Sequence, residues 1–283
     1  MSRIAFLNSK FVNFKDAKIH IEDRGLQFSD SVYEVIPFYN KKLIEFKFHI
    51  SRLKYSLNQL KINFRVNAKK LEKIFNEIVY LSKYKNGIVY LQITRGVQSR
   101  DHAYKKNLKP NIIIYAIKRT LNIANKNFKS EKAITFEDLR WKRRDIKTVS
   151  LLGNVIAKNA AIKKKAYEAI LFENGKVTEA TASNVWVVKK NKLITHPSNN
   201  DILKGITRES IRKIIKKNKL ILLEKKFSLK ELYNADEVFI TSSGNFVTPI
   251  SKIDTKKINK GKIGKISLQL ALLYTNLVTN EGN

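Results

Sequence analysis

Lys147 is the residue whose setting suits chemistry beyond solvation. It follows a charged patch (Arg140, Lys142, Arg143, Arg144) and opens a neutral, hydroxyl-bearing run from Thr148 to Leu152. An amine at the mouth of such a run can lose hydration. Desolvation lowers an amine's pKa and makes it a nucleophile able to form a Schiff base. A solvated lysine also suits the position, because the chain carries 56 Lys and Arg residues. Two further stretches offer binding groups. Thr94-Arg95-Gly96 with Arg100-Asp101-His102 sets a guanidinium two residues from an imidazole. That pair would grip a carboxylate, the fork donating twice and the ring once, though a salt-bridged surface loop has the same pattern. Leu203 to Arg208 places Gly205 just ahead of a helical pattern. The N–H groups of Ile206 and Thr207, with the Thr207 hydroxyl, then form either a phosphate cradle or an ordinary capped helix start.

Other chemistries lack their residues. With no cysteine there is no disulfide, no thiolate nucleophile and no Cys-ligated zinc. His20, His49, His102 and His196 are far apart and show no metal-ligand spacing, so no catalytic metal is expected. Serine-elbow, P-loop and dinucleotide fingerprints are missing. The formal net charge of +32 is spread along the whole chain and is mostly Lys. It reads as a solvated surface that binds polyanions nonspecifically, not as a specific nucleic-acid site, although a polyanion-binding protein is the non-enzyme alternative. The N-terminus lacks an apolar signal core, and no run approaches the ~20 residues of a membrane span, so a soluble cytoplasmic protein is expected.

The elements that must position these residues follow from periodicity. Short strands are expected at Ile4–Leu7 and Lys18–Ile21, and a longer one at Val32–Tyr39 with Pro37 marking an edge or bulge. A strand at Leu43–Phe46 and a helix from His49 to Leu60 come next. Leu71, Ile74, Phe75, Ile78 and Val79 form the stripe of a second helix. Strands at Ile88–Thr94 and Asn111–Ile117 flank the loop that carries Arg100 and His102. The polar stretch Lys118–Lys129 looks like a link between domains. Beyond it, strands are expected at Ala133–Phe136, Ala169–Phe172, Val177–Thr181, Val185–Val188, Leu193–Thr195, Leu220–Glu224 and Glu237–Thr241. Helices are expected after Gly153, over Ile206–Lys217, near Leu229–Tyr233 and across Ile263–Val278. Two α+β domains with mostly hairpin-linked strands is the reading.

Several strings, in this order and spacing, carry a resemblance. They are Glu22-Asp-Arg-Gly-Leu-Gln-Phe28, Val32-Tyr-Glu34, His49-Ile-Ser-Arg-Leu53, Thr94-Arg-Gly96 with Arg100-Asp-His102, Asp145-Ile-Lys147 with Leu151-Leu-Gly153, Val177-Thr-Glu179, Ser183-Asn-Val185, and Leu203 to Arg208. Together they resemble the fold-type IV pyridoxal-phosphate enzymes, the class IV aminotransferase family, and most of all its branch acting on D-amino acids. The resemblance implies an α+β fold with a small N-terminal α/β domain (1–119), a linker (120–128) and a larger C-terminal domain (129–283) with a mixed, barrel-like sheet. It implies pyridoxal 5'-phosphate in the cleft between the domains, held as a Schiff base on Lys147. Glu179 would face the pyridine nitrogen. Arg52, Ile206, Thr207 and Ser243 would bind the phosphate, and Leu203 would pack on the ring. Tyr33 would line the substrate side, while Arg100 and His102 would trap the α-carboxylate, reaching in from the partner of a homodimer. The implied reaction is transamination of D-amino acids with 2-oxoglutarate or pyruvate. An L-branched-chain aminotransferase or an aminodeoxychorismate lyase of the same fold is the alternative. Pro37, where that branch has a polar pocket residue, and Ser242-Ser-Gly-Asn245, in place of a Thr-rich loop, depart from the pattern.

Overall fold

The computed structural model describes residues 3–125 and 128–281. The chain forms two compact units. One comprises residues 1–121, 146–150 and 278–283; the other comprises 122–145 and 151–277. Residues 126 and 127 of the expected link lie outside the described residues.

The first unit runs β1 (Ile4–Leu7), β2 (Lys10–Asn13), α1 (Arg24–Phe28), β3 (Ser31–Tyr39), β4 (Lys42–Leu43), α2 (Phe46–Gln59), α3 (Ala68–Ser82), β5 (Gly87–Thr94) and β6 (Ile112–Lys118). Its six strands lie in the order β2-β1-β6-β5-β3-β4, with antiparallel neighbours. Alternation along β3 sends Val32, Glu34, Ile36 and Phe38 into the buried layer under α2 and α3. The α3 stripe is buried at each of its five expected positions. Pro37 sits opposite Ile88 of β5, yet its carbonyl accepts from Ile44 N on the other side at 2.8 Å. A residue's N and C=O point the same way in a strand, so the missing N–H faces the two-residue β4 and costs no ladder bond.

Two expectations here are corrected. Lys18–Ile21 forms no strand: Ile21 is 76% exposed, and the segment turns through the Asp23 N to His20 O bond into α1. The strand at Leu43–Phe46 shrinks to Lys42–Leu43, because Glu45 adopts φ 55° and its carbonyl accepts from Phe48 N and His49 N, starting α2 at Phe46.

The second unit contains β7 (Glu131–Glu137), α4 (Leu152–Lys163), β8 (Glu168–Glu173), β9 (Lys176–Ala180), β10 (Asn184–Lys189), β11 (Lys192–Thr195), α5 (Ile206–Lys217), β12 (Ile221–Glu224), α6 (Leu229–Tyr233), β13 (Glu237–Ser242), β14 (Phe246–Ile253), β15 (Lys256–Lys257) and, up to residue 277, α7 (Lys265–Glu281). The sheet order is β12-β11-β10-β13-β14-β7-β8-β9, with β15 on β14. Hairpins are only part of the topology. β7 and β8 are parallel with α4 as their crossover, β11 and β12 are parallel with α5 between them, and β14 pairs parallel with β7. Parallel neighbours require such crossovers. β14 was not expected from periodicity; Pro249 interrupts its pattern, and its register to β7 shifts between Ile250 and Lys252.

Candidate active site

In the first unit the lysine-bearing segment is built against β3. Ile146 lies in the core, Tyr33 N donates to the Lys147 carbonyl at 3.0 Å, Lys147 N donates to Ser56 Oγ at 3.2 Å, and Thr148 bridges to Val32. These bonds explain why 146–150 belong with the first unit although the flanking chain belongs to the second. The half-buried Lys147 carries its Nζ 4.1 Å from the Tyr33 ring centroid. Tyr33 stacks on Tyr90 at 5.8 Å, and Tyr90 lies 5.3 Å from Tyr115. Burial pushes the Tyr90 phenol well above its usual range, so it stays neutral, and its hydroxyl donates to Gln92 Oε1 at 2.9 Å. The amine therefore faces an aromatic wall.

Glu34, the next residue of β3, points to the opposite face, where α2 supplies His49 and Arg52. Arg52 grips the carboxylate twice, Nε to Oε1 and Nη2 to Oε2, each at 2.8 Å, and His49 Nδ1 lies 2.7 Å from Oε2. Burial alone would raise the Glu34 pKa, but Arg52 and His49 more than offset it and hold the carboxyl at about 2. Burial pushes the His49 pKa down against the pull of Glu34. A neutral imidazole beside an ionised carboxylate carries its proton on Nδ1 and donates it. Arg52, the expected phosphate ligand, is thus fixed in direction by a partner that spacing did not reveal.

Arg100 and His102 lie on the β5–β6 loop with exposed side chains. Both flank one ring of α1: the Arg100 guanidinium sits 4.7 Å over Phe28, and the His102 ring centroid is 5.3 Å from it.

In the second unit Glu179 of β9 is buried and hydrogen-bonded at both oxygens. Arg140 Nη1 donates to Oε1 at 2.5 Å, Asn184 Nδ2 to Oε2 at 3.0 Å, and Leu203 N to both oxygens at 3.1 Å. Arg140 is itself clasped by Asp138 (2.9 and 2.8 Å), which also accepts from Thr178 Oγ1 at 2.7 Å. Burial pushes the Glu179 pKa up, opposed by Arg140 and the Leu203 N–H. A buried carboxyl with raised proton affinity suits a ring N–H cation as its remaining partner. Arg140 stood in the sequence only as one of a charged patch, and Asp138 and Asn184 drew no expectation of a role. A buried ion-pair chain has no signature among so many surface charges.

Gly205 precedes α5 without any side-chain cap on the helix, and Thr207 is buried with its hydroxyl 3.4 Å from the Tyr274 hydroxyl. A Cβ at Gly205 would meet Asn184 Oδ1 at 2.1 Å. The first-turn N–H groups of Ile206 and Thr207 have no acceptor within the helix, and the dipole there favours an anion. Ser243 lies half-buried in the β13–β14 turn. The first unit offers an amine, and the second a buried carboxyl and an uncapped helix start, the kinds of group that a phosphorylated pyridine aldehyde requires. Among the described residues there is no group of three His, Cys, Asp or Glu able to hold a metal, and no helix long and apolar enough to cross a membrane.

The profile of the family described as amino-transferase class IV matches residues 31–253. The D-alanine aminotransferase of Listeria monocytogenes is 40% identical over 275 residues, covering 96% of this chain and 95% of the relative. That of Staphylococcus aureus is 38% identical over 267 residues, 94% of each. The branched-chain amino acid aminotransferase of Escherichia coli superposes with a TM-score of 0.92 at 21% identity, covering 100% of this chain and 97% of that one. The T.th. branched-chain amino acid aminotransferase, complexed with N-(5'-phosphopyridoxyl)-L-glutamate, gives 0.90 at 25% identity, covering 99% and 95%. The chain belongs to the class IV aminotransferases and has their fold-type IV architecture. It is a pyridoxal-phosphate-dependent aminotransferase.

Proposed function

We propose that the enzyme transfers the amino group of D-amino acids such as D-alanine to 2-oxoglutarate. The observation that carries the reading is the near full-length likeness to D-alanine aminotransferases, together with the Arg100/His102 loop. Bound pyridoxal phosphate supplies an electron sink for the pair left when the substrate Cα–H bond breaks. Lys147 would be the covalent anchor, and its Nζ would take the proton from the substrate Cα as general base and deliver it to the cofactor's C4′ carbon as general acid. The Tyr33 ring, stacked on Tyr90, lies beside that amine. Glu179, clamped by Arg140 and Asn184, holds a proton on the ring nitrogen. Arg52, the Ile206 and Thr207 N–H groups and Ser243 bind the phosphate, Leu203 packs on the ring, and Tyr33 lines the substrate side. Arg100 and His102 bind the substrate carboxylate. The enzyme works as a cytoplasmic homodimer; Leu152, Val155 and Ile156, exposed by 73%, 51% and 45% on α4, support an interface.

The test supplies D-alanine and L-leucine separately with 2-oxoglutarate and resolves the glutamate enantiomer formed. D-glutamate from D-alanine alone is the expected result. L-glutamate from L-leucine would retain the family and overturn the carboxylate assignment.

A further inference from the structure

Arg24 opens α1, behind the N-cap bond from Gly25 N to Asp23 Oδ1 at 2.8 Å, yet its side chain is only 4% exposed. Its Nε donates to Asp30 Oδ2 at 2.9 Å. The other two nitrogens reach the β5–β6 loop: Nη1 donates to the Asp101 carbonyl at 2.6 Å and Nη2 to the His102 carbonyl at 3.1 Å. Those two carbonyls belong to the peptide planes on either side of the His102 Cα. Because each plane is rigid, fixing both fixes the two backbone rotations at His102 and so the direction in which its side chain leaves. Arg100 precedes the first of these planes by one residue.

The hub beneath is doubly braced. Asp30 also receives Arg95, Nε to Oδ2 at 2.6 Å and Nη2 to Oδ1 at 2.9 Å, and the Arg95 guanidinium lies 3.7 Å over the Tyr104 ring on the far side of the loop. At the loop's base Arg24 N donates to the Gly96 carbonyl at 2.9 Å. Three donors in a planar fork serve one carboxylate and two consecutive carbonyls at once, which a lysine cannot do. The loop thus combines exposed functional side chains with a backbone held from inside the protein.

We propose that Arg24 is a positioning residue for substrate binding: it fixes the loop backbone that presents Arg100 and His102. The proposal rests on the reading that those two bind the substrate carboxylate. Misplacing a binding group by about 1 Å can cost up to ~100-fold, so loss of two charge-assisted anchors is expected to raise KM by about tenfold or more.

The experiment is a double-mutant cycle on holoenzyme between Arg24→Met and Arg100→Ala, read as KM for D-alanine, kcat, bound-cofactor absorbance, and hydrogen exchange across residues 98–105. Arg24→Met is expected to raise KM at near-constant kcat and absorbance, to speed exchange in that loop alone, and to add little once Arg100 is gone. Arg24→Lys, which keeps the charge against Asp30 and reaches at most one carbonyl, should fall between and serves if the methionine variant does not fold. If Arg100→Ala raises KM but neither Arg24 variant does, or if the two effects multiply, Arg24 does not act through the loop. If Arg100→Ala leaves KM unchanged, the carboxylate reading fails, and this inference falls with it.

Discussion

Glu34→Gln is the substitution whose cost is best fixed by the structure. The side chain keeps its shape and loses its charge, leaving Arg52 and His49 facing an amide. A carboxyl ordinarily at 4.5 is held at about 2 by these partners, a difference of 2.5 powers of ten in proton affinity. At about 1.4 kcal/mol per power of ten, the ionised group contributes about 3 kcal/mol to folding at neutral pH. The folded value is the depressed one. The contribution is therefore fully present above pH 4.5 and is lost as pH falls toward about 2. Glu34→Gln should accordingly be about 3 kcal/mol less stable at pH 7 and equally so at pH 5, with the gap to the parent closing below 4.5. In a heating scan the same loss corresponds to roughly 6–12 °C. Urea denaturation of both proteins at pH 7, 5 and 3.5 measures it. A gap under about 1 kcal/mol at pH 7, the range of an exposed pair, or one that does not narrow in acid, would refute the buried, ionised reading.

Other perturbations probe the second unit. Arg140→Met leaves Asp138 with the longer 3.4 Å Arg144 pair and Glu179 with no cation among these contacts, and breaking such a set costs about 3–5 kcal/mol, measurable by urea denaturation. A loss under about 1 kcal/mol would mean the three do not act as a unit. Gly205→Ala drives a Cβ into Asn184, the residue that ties Glu179 to the Leu203 carbonyl. It should destabilise by about 1–3 kcal/mol and weaken pyridoxal-phosphate binding in a titration of stripped protein; unchanged affinity would separate Gly205 from the cofactor.

Periodicity located most elements because their burial is regular. The α3 stripe and the β3 alternation read directly as one buried face each. It failed where burial is not periodic. β14 carries Pro249 and a register shift, and Lys18–Ile21 has β-prone residues but no neighbour to pair with. The pairing of β11 with β12 and of β7 with β8 is a property of distant segments, so parallel order was invisible in local pattern. Among the expected site residues, Lys147 stood out through the strings that carry the family resemblance. Its placement in the first unit was not legible, since that depends on backbone bonds to Tyr33 and Ser56. The groups that pack behind the proposed site residues (Glu34 and His49 behind Arg52, Asp138 and Arg140 behind Glu179, Arg24 behind the loop of Arg100) are ionisable groups in a chain with 56 Lys and Arg and 24 Asp and Glu. Only burial distinguishes them, and burial is a tertiary fact.

Lys147 is proposed both to anchor the cofactor and to move the substrate proton. Borohydride reduction of holoenzyme followed by trypsin and mass spectrometry tests it directly. A phosphopyridoxyl group on Lys147 blocks cleavage there and yields the single peptide 145–158. That peptide is the predicted product, with no label and no amino transfer from D-alanine in Lys147→Ala. A label on another lysine, or turnover retained in the variant, would contradict the account.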